Sequence, residues 1–274
     1  MFMGQKLLLL GLLLVSPLVL YPLLRDPAPP QIAIVGDTVR PVSEPEKLTN
    51  EEFARTKPVE FLEFCLAEYD RKVTVGYRCH FVKQERVKGN LREPEKLRAN
   101  FRAKPFSVHM FWLEGAEYCE ASLYVEGEND GKLLARSMLF GIRGPVVARP
   151  IDAPDAKATS RFPITEFGIR AGAVSTIDAM KAAQARGKLH VSYEGIEKVE
   201  KLGDRPCYKL VRTPYDPPEQ DNIMKLTIWI DCDTLMHVGS ELIDVEGNLI
   251  AEYYFCDIEL NPTFDEKQFT RGAL

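Results

Sequence analysis

Between Tyr77 and Phe140 the apolar residues return at every second position, and that period calls for strands with one buried face. Tyr77, Cys79 and Phe81 alternate with Arg78, His80 and Val82, and the strand runs on toward Glu85 before a turn at Lys88-Gly89-Asn90. Leu97, Ala99, Phe101 and Ala103 alternate with Lys96, Arg98, Asn100, Arg102 and Lys104 up to Pro105, which interrupts the ladder. Phe106, Val108, Met110 and Trp112 take up the apolar phase, and Cys119, Ala121, Leu123 and Val125 repeat it. Asn129-Asp130-Gly131 then turns the chain into a strand from Lys132 to Phe140. Short sequential strands joined by tight turns predict an antiparallel meander.

More strands are expected at 189–199, 207–213, 224–231, 235–244 and 249–260, with Pro217-Pro218 among the turns. Two helices accompany these ten or so strands. The first starts near Thr56 with Pro58 in its opening turn and carries Phe61, Leu62, Cys65, Leu66 and Tyr69 on one face. The second runs from Ile177 to Arg186, with Ser175 as N-cap, Asp178 completing a capping box and Gly187 closing it. The fold class is therefore mainly β (α+β): a large curved antiparallel sheet, an unclosed half-barrel, covering two helices.

Upstream, Leu7 to Leu24 are eighteen residues without a charge, between Lys6 and Arg25. That length is just enough to cross a bilayer as a helix. No small-residue cleavage pattern follows, so residues 1–25 are read as an uncleaved signal anchor, with a cleaved signal peptide as the competitor. Either way the body works outside the cytoplasm, in the periplasm, and meets the membrane through its N-terminal segment. Residues 26–57, with Pro27, Pro29, Pro30, Pro41 and Pro45, read as a tether. Residues 58–274 are then one domain, interrupted by a long irregular stretch at 141–173 that is the candidate lid.

Composition removes whole classes of function. A net charge of -5 gives no global positive field for nucleic acid. The six cysteines (Cys65, Cys79, Cys119, Cys207, Cys232 and Cys256) suit an oxidising compartment, but their spacing forces no pairing and no metal-ligand set. No cofactor is expected, because phosphate-loop, dinucleotide and EF-hand patterns are missing from the sequence. His80, His109, His190 and His237 each sit in a strand without a sequence partner, and Asp231-Cys232-Asp233 before His237 reads as turn chemistry before it reads as a nucleophile or metal site. The basic strand face of Lys96, Arg98, Arg102 and Lys104 could meet anionic headgroups or an acidic partner. The plainer account pairs it with Glu117 and Glu120 across the sheet.

The stretch from Tyr77 to Arg86, with Gly89-Asn90-Leu91, the 104–108 run Lys-Pro-Phe-Ser-Val, Trp112-Leu113, the 123–127 run, and Arg161 to Thr165 with Phe167-Gly168, resembles an uncharacterised bacterial envelope family. The arrangement is also distantly similar to the lipoprotein carrier LolA and the sensor RseB. That likeness implies a curved sheet over helices with an apolar cavity between them. Phe101, Phe106, Val108, Met110, Trp112, Leu123, Leu226 and Ile228 are the expected lining, and Arg143, Arg149, Arg161, Phe162, Ile164 and Phe167 the lid residues. The expected function is non-catalytic binding of a lipid, acyl chain or other hydrophobic ligand in a cavity under the sheet, with a hydrophobic ligand or a lipidated protein as partner. The alternatives are an envelope protein-interaction or sensor module, and a hydrolase with an unrecognised site.

Overall fold

The computed structural model describes residues 48–215 and 222–274. The N-terminal apolar run, residues 26–47 of the tether and the Pro217-Pro218 turn lie outside the described residues. Helix α1 (Asn50–Thr56) falls inside the predicted tether. Thr49 and Glu52 cap its start reciprocally, each side chain accepting from the other residue's backbone N–H. Helix α2 (Pro58–Lys72) follows with Pro58 in its first turn, as the sequence predicts.

Twelve strands then build one antiparallel sheet. They are β1 (Gly76–Val87), β2 (Asn90–Leu91), β3 (Glu95–Arg102), β4 (Ser107–Glu114), β5 (Cys119–Val125), β6 (Leu133–Leu139) and β7 (Ile142–Arg149), followed by β8 (Val191–Val199), β9 (Arg205–Arg212), β10 (Ile223–Asp231), β11 (His237–Asp244) and β12 (Leu249–Leu260). The order is β7-β6-β5-β4-β3-β1-β12-β11-β10-β9-β8, with β2 pairing β1 on the side. Two meanders thus run outward from a central pair of first and last strands, and the sheet does not close. Between β7 and β8 the chain crosses from one sheet edge to the other through α3 (Pro154–Thr159) and α4 (Ile169–Ala185).

The register assigns the faces. Leu97 sits opposite Trp112, Ala99 opposite Met110 and Phe101 opposite Val108, so these side chains share the face that the helices cover. Phe61, Leu62 and Cys65 of α2 and Ile177 and Met180 of α4 pack there with Tyr208, Leu210, Leu226, Ile228 and Ile230. Each buried side chain of this size is worth roughly 1.5–3 kcal/mol. On the opposite face, Leu123, Val125 and Leu134 pack under Phe269 of the C-terminal segment.

Two sequence expectations change here. Helix α4 begins at Ile169, not Ile177; Ser175 lies inside it and Gly168 is its N-cap. Ile169, Ala173, Ile177 and Met180 continue one stripe at four- and three-residue steps, which the Ser-Asp capping signal had masked. The stretch 141–173 is not irregular either. It contains β7, α3 and a 3-10 turn at Ile164–Glu166 before α4 starts. Gly144 and Pro145 hid the period of β7, and an edge strand tolerates both.

Candidate functional site

Helices α2 and α4 run antiparallel over the sheet, clasped by ion pairs at both ends. Arg170 meets Asp70 at 2.7 Å, and Lys181 pairs with Glu63. Between the clasps lies an open groove of about 310 Å³ lined by Glu63, Leu66, Ala67, Asp70, Val174, Ile177, Asp178 and Lys181. Beneath it, facing the sheet, is a slot of about 10 Å³ reached by Cys65, Tyr69, Ile169, Ala173, Ile230 and His237. Leu66 and Ile177 line both spaces. The floor and walls are apolar and the outer rim is charged, the arrangement expected of a small-ligand seam.

Tyr69 and His237 bring polar groups to the lining of the slot. The Tyr69 hydroxyl is buried with no hydrogen-bond partner, and burial pushes its pKa up, so it remains a neutral donor. A buried hydroxyl without a partner is uncommon in a folded protein. The imidazole of His237 lies 2.7 Å from Ser240 Oγ, and burial pushes its pKa down to about 4, so it is neutral at physiological pH.

The eight predicted lining residues do not form one cavity. Phe101, Val108 and Met110 sit in one core cluster, with Phe106 and Trp112 packed against it. Phe101 stacks on Tyr77 at 4.8 Å. Leu226 and Ile228 belong to a second cluster under α1 and α2. Leu123 lies opposite His109, on the far face of the sheet from the helices. Sequence reasoning missed this because β5 is buried on both faces, so its alternation selects neither. It also missed the seam, although Leu66 stood in the helix stripe it had identified.

The predicted lid residues are fastened down. Arg143 forms a two-pronged pair with Glu120 at 2.6 and 2.7 Å, and Arg149 meets Asp155 at 2.9 Å. Phe167 is buried edge-on against Phe81, and Ile164 packs on the same cluster. Phe162 tilts over the Tyr253 ring. Arg161 donates from its backbone N–H to Glu85 and from its guanidinium to the Arg86 carbonyl. It thereby joins a buried polar cluster in which Lys83 lies 2.8 Å from Glu85 and 3.3 Å from Glu95. Tyr253 donates to Glu85 and Trp112 to Glu95, so both carboxylates are satisfied. The arrangement suits a latch holding the 160–167 segment to the sheet.

Most of the remaining candidates have structural partners. Of the basic face, Lys96 reaches Glu114 at 3.9 Å, and Arg102 meets Glu266 at 3.2 Å while lying over Phe269. Arg98 lies over Phe111, and Lys104 is exposed. Glu117 and Glu120, its expected partners, pair instead with Arg92 and Arg143. Glu117 precedes β5 and Glu120 is its second residue, which puts them at the sheet end beside Arg92 and Arg143. Asp231 caps its own turn through Thr234 and holds Arg205. Burial, then the neighbouring Asp231 and Asp233, push the Cys232 thiol up, the reverse of an activated nucleophile. All six cysteines are unbridged. His80 meets Asp257 at the surface, His190 is exposed, and His109 is buried without a partner. Among the described residues no group of His, Cys, Asp and Glu is arranged to hold a metal ion.

Residues 74–273 match the model of the family described as "Protein of unknown function (DUF1571)". The chain belongs to this family. Comparison of this DUF1571 protein with curated proteins yields no match. Among solved structures it is similar to MucB in the Pseudomonas aeruginosa MucA/MucB complex, at 18% identity and a TM-score of 0.43, over 79% of this chain and 62% of that one. The DUF1571 chain thus spans less than two thirds of the MucB chain. It is also similar to the Mycobacterium tuberculosis lipoprotein LppX, at 14% identity and a TM-score of 0.36, over 74% of this chain and 98% of that one. A LolA superfamily protein from Nitrosomonas europaea matches at 12% identity and a TM-score of 0.32, over 78% and 99% of the two chains.

Proposed function

We propose that this protein is a non-catalytic binding protein of the extracytoplasmic space that takes an apolar ligand, an acyl chain of a lipid or lipidated polypeptide, into the seam between α2 and α4. The observation that carries the reading is the pair Leu66 and Ile177, which lines both the open groove and the slot that Ile230 also lines. Parting these two side chains joins the spaces into one apolar channel. The charged rim of Glu63, Asp70, Asp178 and Lys181 holds a headgroup in water. Burial of a chain contributes about 0.8 kcal/mol per methylene, so a few carbons offset the loosening of two surface ion pairs worth about 1 kcal/mol or less each. The apolar run at 7–24 supports an extracytoplasmic body held at the membrane.

The full chain, purified from an exporting host and opened by native mass spectrometry with lipid analysis, tests this. A stoichiometric acyl-bearing molecule is expected in the parent and not in Ala67→Trp, where an indole on the exposed side of the groove blocks it. A parent that carries nothing acyl and ignores added acyl probes contradicts the reading.

A further inference from the structure

Three connections meet at one end of the sheet: the β2–β3 link, the β4–β5 turn and the β6–β7 hairpin. The Met138 N–H donates to the Tyr118 carbonyl, and the Arg92 guanidinium lies over the Tyr118 ring, which ties the three together. This end carries Leu91, Leu113, Tyr118, Leu139, Phe140 and Ile142, six of the twelve exposed large apolar side chains among the described residues. Solitary exposed apolar side chains are ordinary, but a contiguous group of this size marks an interaction surface.

The hairpin tip is built to project. Leu139 pairs with Ile142, leaving Phe140 and Gly141 as a two-residue turn with φ of 50° and 75°. Such turns want Asn, Asp or Gly at both central positions, because positive φ crowds a side chain. This chain instead spends the first position on phenylalanine and leaves it 93% exposed, flanked by Leu139 at 66% and Ile142 at 72%. A bulky aromatic in a strained, solvent-facing position is an outlier that points to a use.

We propose that this sheet end docks into a lipid bilayer interface, with Phe140 as the inserted tip. The surface is made of three separate turns, with Phe140 projecting from one of them, which fits a fluid apolar layer. Arg92, Arg143 and Lys96 beside it are already paired, with Glu117, Glu120 and Glu114, and none of the three is left free for an anionic headgroup. Docking therefore runs on apolar partition and does not need anionic lipid. Chain length keeps the body in reach. Residues 25–47 separate the uncharged run ending at Leu24 from the first described residue, and at roughly 3.3–3.6 Å per residue they span at most about 80 Å. Confinement on that scale turns a weak contact into an effectively intramolecular one. The proposal goes beyond the α2–α4 seam and does not depend on it, since none of these six residues lines the groove.

The test places an indole at the tip. Full-length Phe140→Trp is reconstituted into phosphatidylcholine vesicles with and without a doxyl-labelled acyl chain, the parent's Trp112 and Trp229 signal is subtracted, and Val75→Trp at the opposite sheet end serves as control. The tip indole is expected to lose about half of its fluorescence to the lipid quencher while the control is unchanged. Raising the salt should leave the quenching intact. An unquenched tip, or equal quenching at both ends, overturns the proposal. An unquenched tip whose chain self-associates until Phe140→Asp is introduced gives the surface to a second copy and overturns it too.

Discussion

Asp231, 1% exposed, accepts two hydrogen bonds from the guanidinium of Arg205, at 2.5 and 2.9 Å. Burial raises the carboxyl's pKa, but Arg205 and the Thr234 N–H and hydroxyl more than offset this, and it ends below the usual carboxylate range. A lowered folded pKa contributes stability that is full above the unfolded value and lost as pH falls through the folded one. Because Arg205 is 45% exposed, its share is discounted for solvent. Arg205→Ala is expected to cost about 2 kcal/mol in urea melts at pH 7, chiefly by stranding a buried charge. That cost should shrink once Asp231 is protonated in strong acid.

The start of α4 depends on Tyr77. The Ile169 N–H donates to the Tyr77 hydroxyl at 3.1 Å, standing in for the side-chain cap that Gly168 lacks. Tyr77→Phe should lose about 1 kcal/mol. Gly168→Ala should lose more, because φ is 125° there and an added Cβ would come within 2.9 Å of the same hydroxyl. Faster amide exchange at the first turn of α4 should accompany both.

His109 and His237 make the protein acid-sensitive. Burial holds each near pKa 4, against 6.5 for a free imidazole. The unfolded chain therefore binds protons that the folded one refuses, and stability falls as pH drops from 6.5 toward 4. Each imidazole should cost about 2 kcal/mol between pH 7.5 and pH 5. His109→Leu, which also removes two unpartnered ring nitrogens, should flatten that slope; an unchanged slope would refute the assignment.

Lys83 is shared by two buried carboxylates. Lys83→Met leaves Glu85 and Glu95 facing each other without it and should cost about 3–5 kcal/mol. Adding Glu85→Gln and Glu95→Gln should recover much of the loss, which a denaturant series on the single and triple variants would read.

The sheet was legible because its strands alternate cleanly, and Tyr77 to Phe81 and Leu97 to Phe101 lie on the face the period predicted. Which residues share a cavity was not. Leu123 shows why: with Ser122 and Tyr124 also buried, β5 offers two usable phases, and only its register opposite β4 selects one. Likewise Glu85 reads in sequence as part of a charge cluster with Lys83 and Arg86, whereas Glu95 joins Lys83 across a ladder that only folding creates. The α2–α4 seam needs the antiparallel pairing of residues about a hundred positions apart, such as Asp70 and Arg170, and local spacing carries no trace of that.

The seam is tested most directly by titrating the full chain with a fluorescent long-chain fatty acid, comparing the parent with Ala67→Trp. Saturable one-to-one binding that is lost, or weakened at least about tenfold, in the blocked variant is the expected result. Equal binding by both chains, or none by the parent, would contradict a ligand held between α2 and α4.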